Sequence, residues 1–257
     1  TIHVHLFNAQ LINRVAWDNA IRPPDANELG WKETFRVNPL QDTIVAFRAI
    51  PPTQPFDVPN SVRLIDPTKP DSHPLMGGPL GFQNPDAEPV NVVNHLVNYG
   101  WEYVYHCHLL SHEEMDMMHA MGFAVAPRAP THLTVAMNPV TLNWTDNSDT
   151  ETNFTIERAL DAGFTSGLTT FVVGPNVTTY IDVTAVPGTP YFYRVMATNV
   201  VGDTWDYSDP NINEGDNVRF PTVAAHSDPS NTVATGPDRI GVFDPSSGLW
   251  FLDYDND

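Results

Sequence analysis

The sequence predicts an all-β protein of two β-sandwiches with a short β segment at its end, and three observations predict it. Twenty-four prolines and 15 glycines among 257 residues interrupt any long helix. The apolar runs are short, rich in β-branched and aromatic residues, and alternate with polar positions. A proline-containing polar junction, Ala126-Pro127-Arg128-Ala129-Pro130, separates two such alternating halves, as an interdomain linker does. The length suits two ordinary domains.

In the first half, residues 3–7, 42–48 and 101–108 read as strands, and residues 50–91, rich in Pro, Asp and Gly, read as long connections. A turn or two of helix is expected around 112–117. In the second half, residues 133–135, 140–144, 154–158, 170–173 and 191–197 recur at the spacing of a sandwich with turns between. Residues 203–234 read as a long acidic loop, with a final strand near 231–235. Residues 236–257 are too few to bury a core alone and read as a docked hairpin or the opening of a further repeat. The expected division is therefore 1–127, 128–235 and 236–257.

Charge narrows the choice of partner. Lys plus Arg is 12 against 31 Asp plus Glu, a formal charge of -19, so nucleic acid and anionic membranes are disfavoured. No run approaches about 18 consecutive apolar residues, and no charged-then-apolar leader opens the chain, so neither membrane insertion nor an uncleaved signal is expected. The single cysteine, Cys107, excludes an internal disulfide.

That cysteine stands in a dense string: His106-Cys107-His108-Leu109-Leu110-Ser111-His112-Glu113-Glu114-Met115-Asp116-Met117. A His-Cys-His-x3-His-x4-Met pattern arises by chance on the order of once in a million such chains at these residue frequencies. On a strand Cys107 faces one side while His106 and His108 face the other, so one strand can serve two metal centres. A thiolate, two imidazoles and a weak axial thioether make a blue-copper electron-transfer site, for which Cys107, His112 and Met117 supply three members. By the same period of two, His3 and His5 share a strand face.

These residues, with Thr1-Ile2-His3-Val4-His5-Leu6, Gly30-Trp31-Lys32-Glu33-Thr34 and Asn38-Pro39-Leu40-Gln41-Asp42, resemble the C-terminal cupredoxin domain of a laccase-like multicopper oxidase over residues 1–127. The resemblance implies a cupredoxin-like Greek-key sandwich. It implies that His3 is a type 2 copper ligand, that His5, His106 and His108 are type 3 ligands, and that Cys107, His112 and Met117 are type 1 ligands. Dioxygen and an unidentified reducing substrate are the implied reactants. Glu113 resembles the proton-relay acid of some relatives, with a solvated surface carboxylate as the alternative.

The family's first motif is His-x-x-His-x-His. Its leading His would precede Thr1, and the His-x-His pairs of an N-terminal cupredoxin domain are missing from these residues. The remaining ligands are expected from N-terminal cupredoxin domains of the same polypeptide or another chain. The alternative is a structural or adhesive module that keeps the fold without copper. Met115, Met117, Met118 and Met121 put four of seven methionines in seven residues. Packing beside the type 1 site is favoured over a cuprous-ion path, and only Met117 has ligand spacing. His73, His95, His119, His132 and His226 read as solvent-facing or structural residues in loops or near turns.

Residues 128–235 resemble a fibronectin type III domain, on Pro130, Leu133-Thr134-Val135, Leu142-Asn143-Trp144, Phe154-Thr155-Ile156-Glu157-Arg158, Thr179-Tyr180 and the stretch from Pro187 through Tyr191 to Asn199. By alternation Tyr191, Tyr193, Val195 and Ala197 share a face that Trp144 can cover, with Tyr191 as the tyrosine-corner residue. Such a domain implies a spacer or adhesive role. Three acceptor tripeptides, at Asn143, Asn153 and Asn176, fit an extracellular, periplasmic or cell-surface location.

Overall fold

The computed structural model describes residues 1–48, 56–75, 82–83, 90–205, 207, 221–236, 241–244 and 249–252. Its regular secondary structure is nearly all β-strand, as the alternation predicts. The chain divides into two compact units, one of Thr1–Pro55, Asn60–Val125 and Val201–Thr222, the other of Phe56–Pro59, Ala126–Val200 and Val223–Asp257. One boundary between the units lies between Val125 and Ala126, and both units are discontinuous in sequence. Gly202 helps fix the return to the first unit: its N–H donates to the Asn98 carbonyl at 2.8 Å, from a backbone φ of +114°.

In the first unit, β1 (Ile2–Val4), β2 (Asn8–Ala16), β3 (Ile21–Arg22), β4 (Trp31–Lys32), β5 (Thr34–Phe35), β6 (Gln41–Arg48), β7 (Val62–Leu64), β8 (Leu96–Asn98) and β9 (Trp101–Cys107) precede helix α1 (Leu110–Glu113) and β10 (Met118–Phe123). One sheet runs β10-β9-β1-β5; a second runs β3-β2-β4 with β6 also on β2; β7 and β8 form a separate pair. Phe7 packs against Phe47 of β6 and Phe123 of β10, and Phe35 of β5 also meets Phe47, so aromatic rings tie the first sheet to the second. On β1, Val4 is buried while His3 points to the other face, the division that a pleated strand imposes.

In the second unit, β11 (Thr131–Ala136), β12 (Thr141–Thr145) and β15 (Thr179–Ile181) form one sheet. The other runs β14 (Thr169–Val173), β13 (Asn153–Ala159), β16 (Tyr191–Val201) and β17 (Val223–His226), with β18 (Val233–Thr235) also on β16. The two sheets form a β-sandwich. Leu133 and Leu142 from one sheet meet Phe154, Ile156, Tyr193, Val195 and Ala197 from the other, with Trp144 against Phe154. Each large apolar side chain buried there contributes about 1.5–3 kcal/mol. The phenol that ties back across the corner is Tyr193, not Tyr191. Its hydroxyl donates to Asp182 Oδ2 at 2.8 Å, and the same carboxylate takes Arg158 at 2.7 Å and caps the turn at Thr184. A further hairpin pairs β19 (Gly241–Asp244) with β20 (Leu249–Leu252).

Candidate metal centre

The pairing of β1 with β9 sets His3 directly opposite His106 and Ile2 opposite Cys107. Residues opposite one another on antiparallel strands share a face, so His3 and His106 converge on one side. His5, one step past β1, returns to that side, and its N–H donates to the Val104 carbonyl at 3.1 Å. The ring of His3 lies 4.7 Å from that of His5 and 5.4 Å from that of His106. One ligand nitrogen from each of His3, His5 and His106 lies within 4.8 Å of the other two.

Hydrogen bonding aims these rings. His3 Nδ1 lies 3.1 Å from the Glu33 carbonyl and 2.9 Å from Thr34 Oγ1. A carbonyl only accepts, so Nδ1 carries the hydrogen and Nε2 keeps its lone pair. His106 Nδ1 faces the Cys107 carbonyl at 3.3 Å and Glu113 Oε2 at 3.6 Å, which likewise leaves Nε2 bare. His5 Nε2 stands 3.1 Å from His106 Nε2. Either His5 donates across that gap, or two lone pairs converge with a cation between them. Burial lowers the His5 pKa, and the neighbouring His3 and His106 lower it further, so the ring favours its neutral, ligating form. The donor set is chemically suited to copper or zinc, and an ion bonded at about 2.0–2.1 Å to each nitrogen spans the 3.1 Å separation.

His108 is left at the rim. Its ring centroid is 5.5 Å from that of His3 and 5.7 Å from that of His106, its side chain is exposed, and it does not join the three-nitrogen group.

Cys107 serves the other side. Its Sγ lies 3.5 Å from His112 Nδ1, close to the ~3.6 Å expected of a sulfur and a nitrogen bonded to one ion at about 2.3 and 2.0 Å. The return of the chain is local. α1 carries His112, Asp116 takes a left-handed φ of +61°, and the Met117 N–H donates to the His112 carbonyl at 3.2 Å. Met117 is therefore carried back toward β9, where its carbonyl faces the Cys107 N–H at 3.4 Å. Its side chain is half exposed, and Met115 and Met118 are exposed as well, so these methionines do not pack into a core as the sequence suggested.

Glu113 turns inward. Its Oε2 is buried without a hydrogen-bond partner and lies 3.6 Å from His106 Nδ1, so the carboxylate faces the imidazole cluster rather than open solvent. Of the remaining histidines, His95, His119 and His226 have identifiable partners. His95 is buried, faces the Val93 carbonyl at 2.7 Å and Asp203 at 3.0 Å, and stacks on Trp205. His119 lies on β10 rather than in a loop and stacks on Tyr105, and His226 lies on β17 against Thr198. The His95–Asp203 pair had no sequence signal, because its partners are 108 positions apart.

No protein-family model and no curated protein matches the chain. Among solved structures, similar chains include pectate lyase Pel3 from Pectobacterium carotovorum (15% identity, TM-score 0.27), which covers 44% of this chain and 27% of that one. The chicken CNTN1 FN1-FN3 domains (11% identity, TM-score 0.31) cover 89% of this chain and 55% of that one. A beta-1,2-glucanase from Parabacteroides distasonis (13% identity, TM-score 0.28) covers 68% and 27%. The chain thus spans less than two thirds of each of these solved chains, and likenesses of this size carry no argument about its activity.

Proposed function

We propose that residues 1–127 are the C-terminal cupredoxin portion of a laccase-like multicopper oxidase, coupling one-electron oxidation of a reducing substrate to reduction of dioxygen to water. The observation that carries this reading is the alternation on β9: His106 turns to His3 and His5, while Cys107 turns to His112. Bound copper would supply one-electron transfer on the sulfur side and dioxygen reduction on the imidazole side.

The chain's own residues have separate tasks. Cys107, His112 and Met117 would hold the type 1 ion. His3, His5 and His106 would hold type 2 and type 3 copper, with His108 joining from the rim. The backbone from Cys107 to His106 is the shortest covalent route between the two sides. Thr34 and the Glu33 carbonyl orient His3, and Glu113 would hold a proton beside His106 Nδ1. Three clustered imidazoles and one thiolate–imidazole pair fall short of the whole ligand set. The remainder belongs to N-terminal cupredoxin domains on the same polypeptide or another chain. The fibronectin-like unit would be a spacer or adhesive module, with the protein extracellular, periplasmic or cell-surface.

Copper titration of the chain together with its N-terminal domains tests the reading. A blue thiolate-to-copper absorption and dioxygen-dependent oxidation of a phenol or metal ion are expected. A colourless protein that retains no copper would instead favour a non-catalytic structural or adhesive module. In the assembled enzyme, Glu113→Gln is expected to slow dioxygen reduction about 10²-fold while the blue colour remains. Unchanged turnover would remove Glu113 from the mechanism.

A further inference from the structure

Beside the strands that orient His3, the first unit has a second concave surface. Lys32, Thr34 and Arg36 stand at alternate positions along β4, β5 and the residue beyond, and all three line a cavity of about 280 Å³. Ala9, Leu11 and Phe35 give the same cavity an apolar wall.

The charges around it do not cancel. Glu28 is gripped by both terminal nitrogens of the buried Arg14 at 2.7 Å, and Arg36 reaches Asp25 at 2.6 Å and Glu28 at 3.3 Å. Lys32 has no acidic partner within ion-pair distance among the described residues. Of the charged side chains that line the cavity, Lys32 and Arg36 are positive and Glu28 is negative, an excess of one positive charge in a chain of net charge -19. Thr34 adds a directed donor. Its Oγ1 accepts the His3 Nδ1 hydrogen at 2.9 Å, which frees the hydroxyl's own proton for another acceptor.

We infer that this cavity binds a small organic monocarboxylate with an apolar body, its carboxylate on Lys32 and Thr34 and its hydrocarbon against Leu11 and Phe35. One negative charge matches the excess positive charge, and the volume takes a benzoate-sized molecule with a few waters. The site adjoins the proposed copper ligand His3 through Thr34, but its charge and its apolar wall do not depend on copper being bound.

Calorimetric titration of the metal-free chain with benzoate tests it. One saturable site per chain is expected, weaker for acetate, which lacks the apolar body, and for benzyl alcohol, which lacks the charge. Lys32→Gln is expected to weaken benzoate binding about tenfold or more, from the loss of a charge-assisted contact. Lys32→Arg, which keeps the charge, should retain binding, and Lys69→Gln, an exposed cation elsewhere, should leave it unchanged. No saturable binding, equal affinity for benzyl alcohol, or an unchanged affinity in a folded Lys32→Gln variant would overturn the inference.

Discussion

His106 shows how one residue can be committed on both sides. Its Nδ1 is turned to the Cys107 carbonyl, with the Glu113 carboxylate 3.6 Å away, and its Nε2 is left to face His5. The adjacent sulfur points elsewhere, so the two proposed sites can be emptied separately. Cys107→Ser removes the soft thiolate and should abolish the blue absorption, while the His3, His5 and His106 group still takes up copper. Absorption and metal analysis on the same sample check this; loss of all copper would mean that the two sides are not independent. Glu28 illustrates a purely structural charge. Its hydrogen bonds to Arg14 bring its pKa from 4.5 down to about 2, against a smaller opposing effect of burial. A carboxyl depressed in the folded state contributes stability that is present above pH 4.5 and lost as pH falls toward 2. Glu28→Gln leaves Arg14 buried without its counter-charge and should cost about 3–5 kcal/mol at neutral pH. Denaturant unfolding of both proteins from pH 6 to pH 2.5 should show that gap narrowing below pH 4.5, and a gap independent of pH would refute the assignment.

At the level of elements, β9 is what places the site, and its start depends on Gly100. That residue has a φ of +67°, and a Cβ there would run into the Phe123 carbonyl and lie 2.8 and 2.9 Å from the Val201 methyls. Gly100→Ala should therefore destabilise the first unit by about 2–4 kcal/mol. It should also weaken the blue colour by shifting β9, as thermal unfolding and absorption would reveal; an unaltered melt would show that the turn relaxes freely. The strands that the sequence disclosed are those whose pattern is regular. β9 alternates, β16 alternates over a buried face, and β13 reads the same way. β2 escaped notice because Asn8–Ala16 mixes polar and apolar residues, and its register slips between Leu11 and Asn13, which breaks the period of two. β10 was hidden by its methionines, which look like core packing in sequence but are partly exposed on an edge strand. His3, His5 and His106 were legible as a group because strand pairing follows from the pattern. Thr34 as the anchor of His3, and Asp203 as the partner of His95, depend on long-range pairing that no local spacing encodes.

For the molecule as a whole, the two units carry different burdens. All the proposed copper ligands lie in the first, whereas the second has its own core of Leu133, Leu142, Phe154, Ile156, Tyr193 and Val195 and none of those ligands. Ligand binding stabilises the folded state that holds the ligand, by an amount that grows with occupancy. Copper should therefore slow amide hydrogen exchange most where its ligands are anchored, across β1, β9 and β10, because opening those strands would release the ion. Amides of β13 and β16 from residues 191–200 should exchange at the same rate with and without copper, since local opening there breaks no metal bond. Exchange followed by mass spectrometry on peptides from each region measures both at once. Protection confined to β1, β9 and β10 is the expected result. Equal protection of β13 would mean that copper acts on the second unit too, and slowed exchange nowhere would mean that the imidazole cluster holds no ion strongly enough to matter.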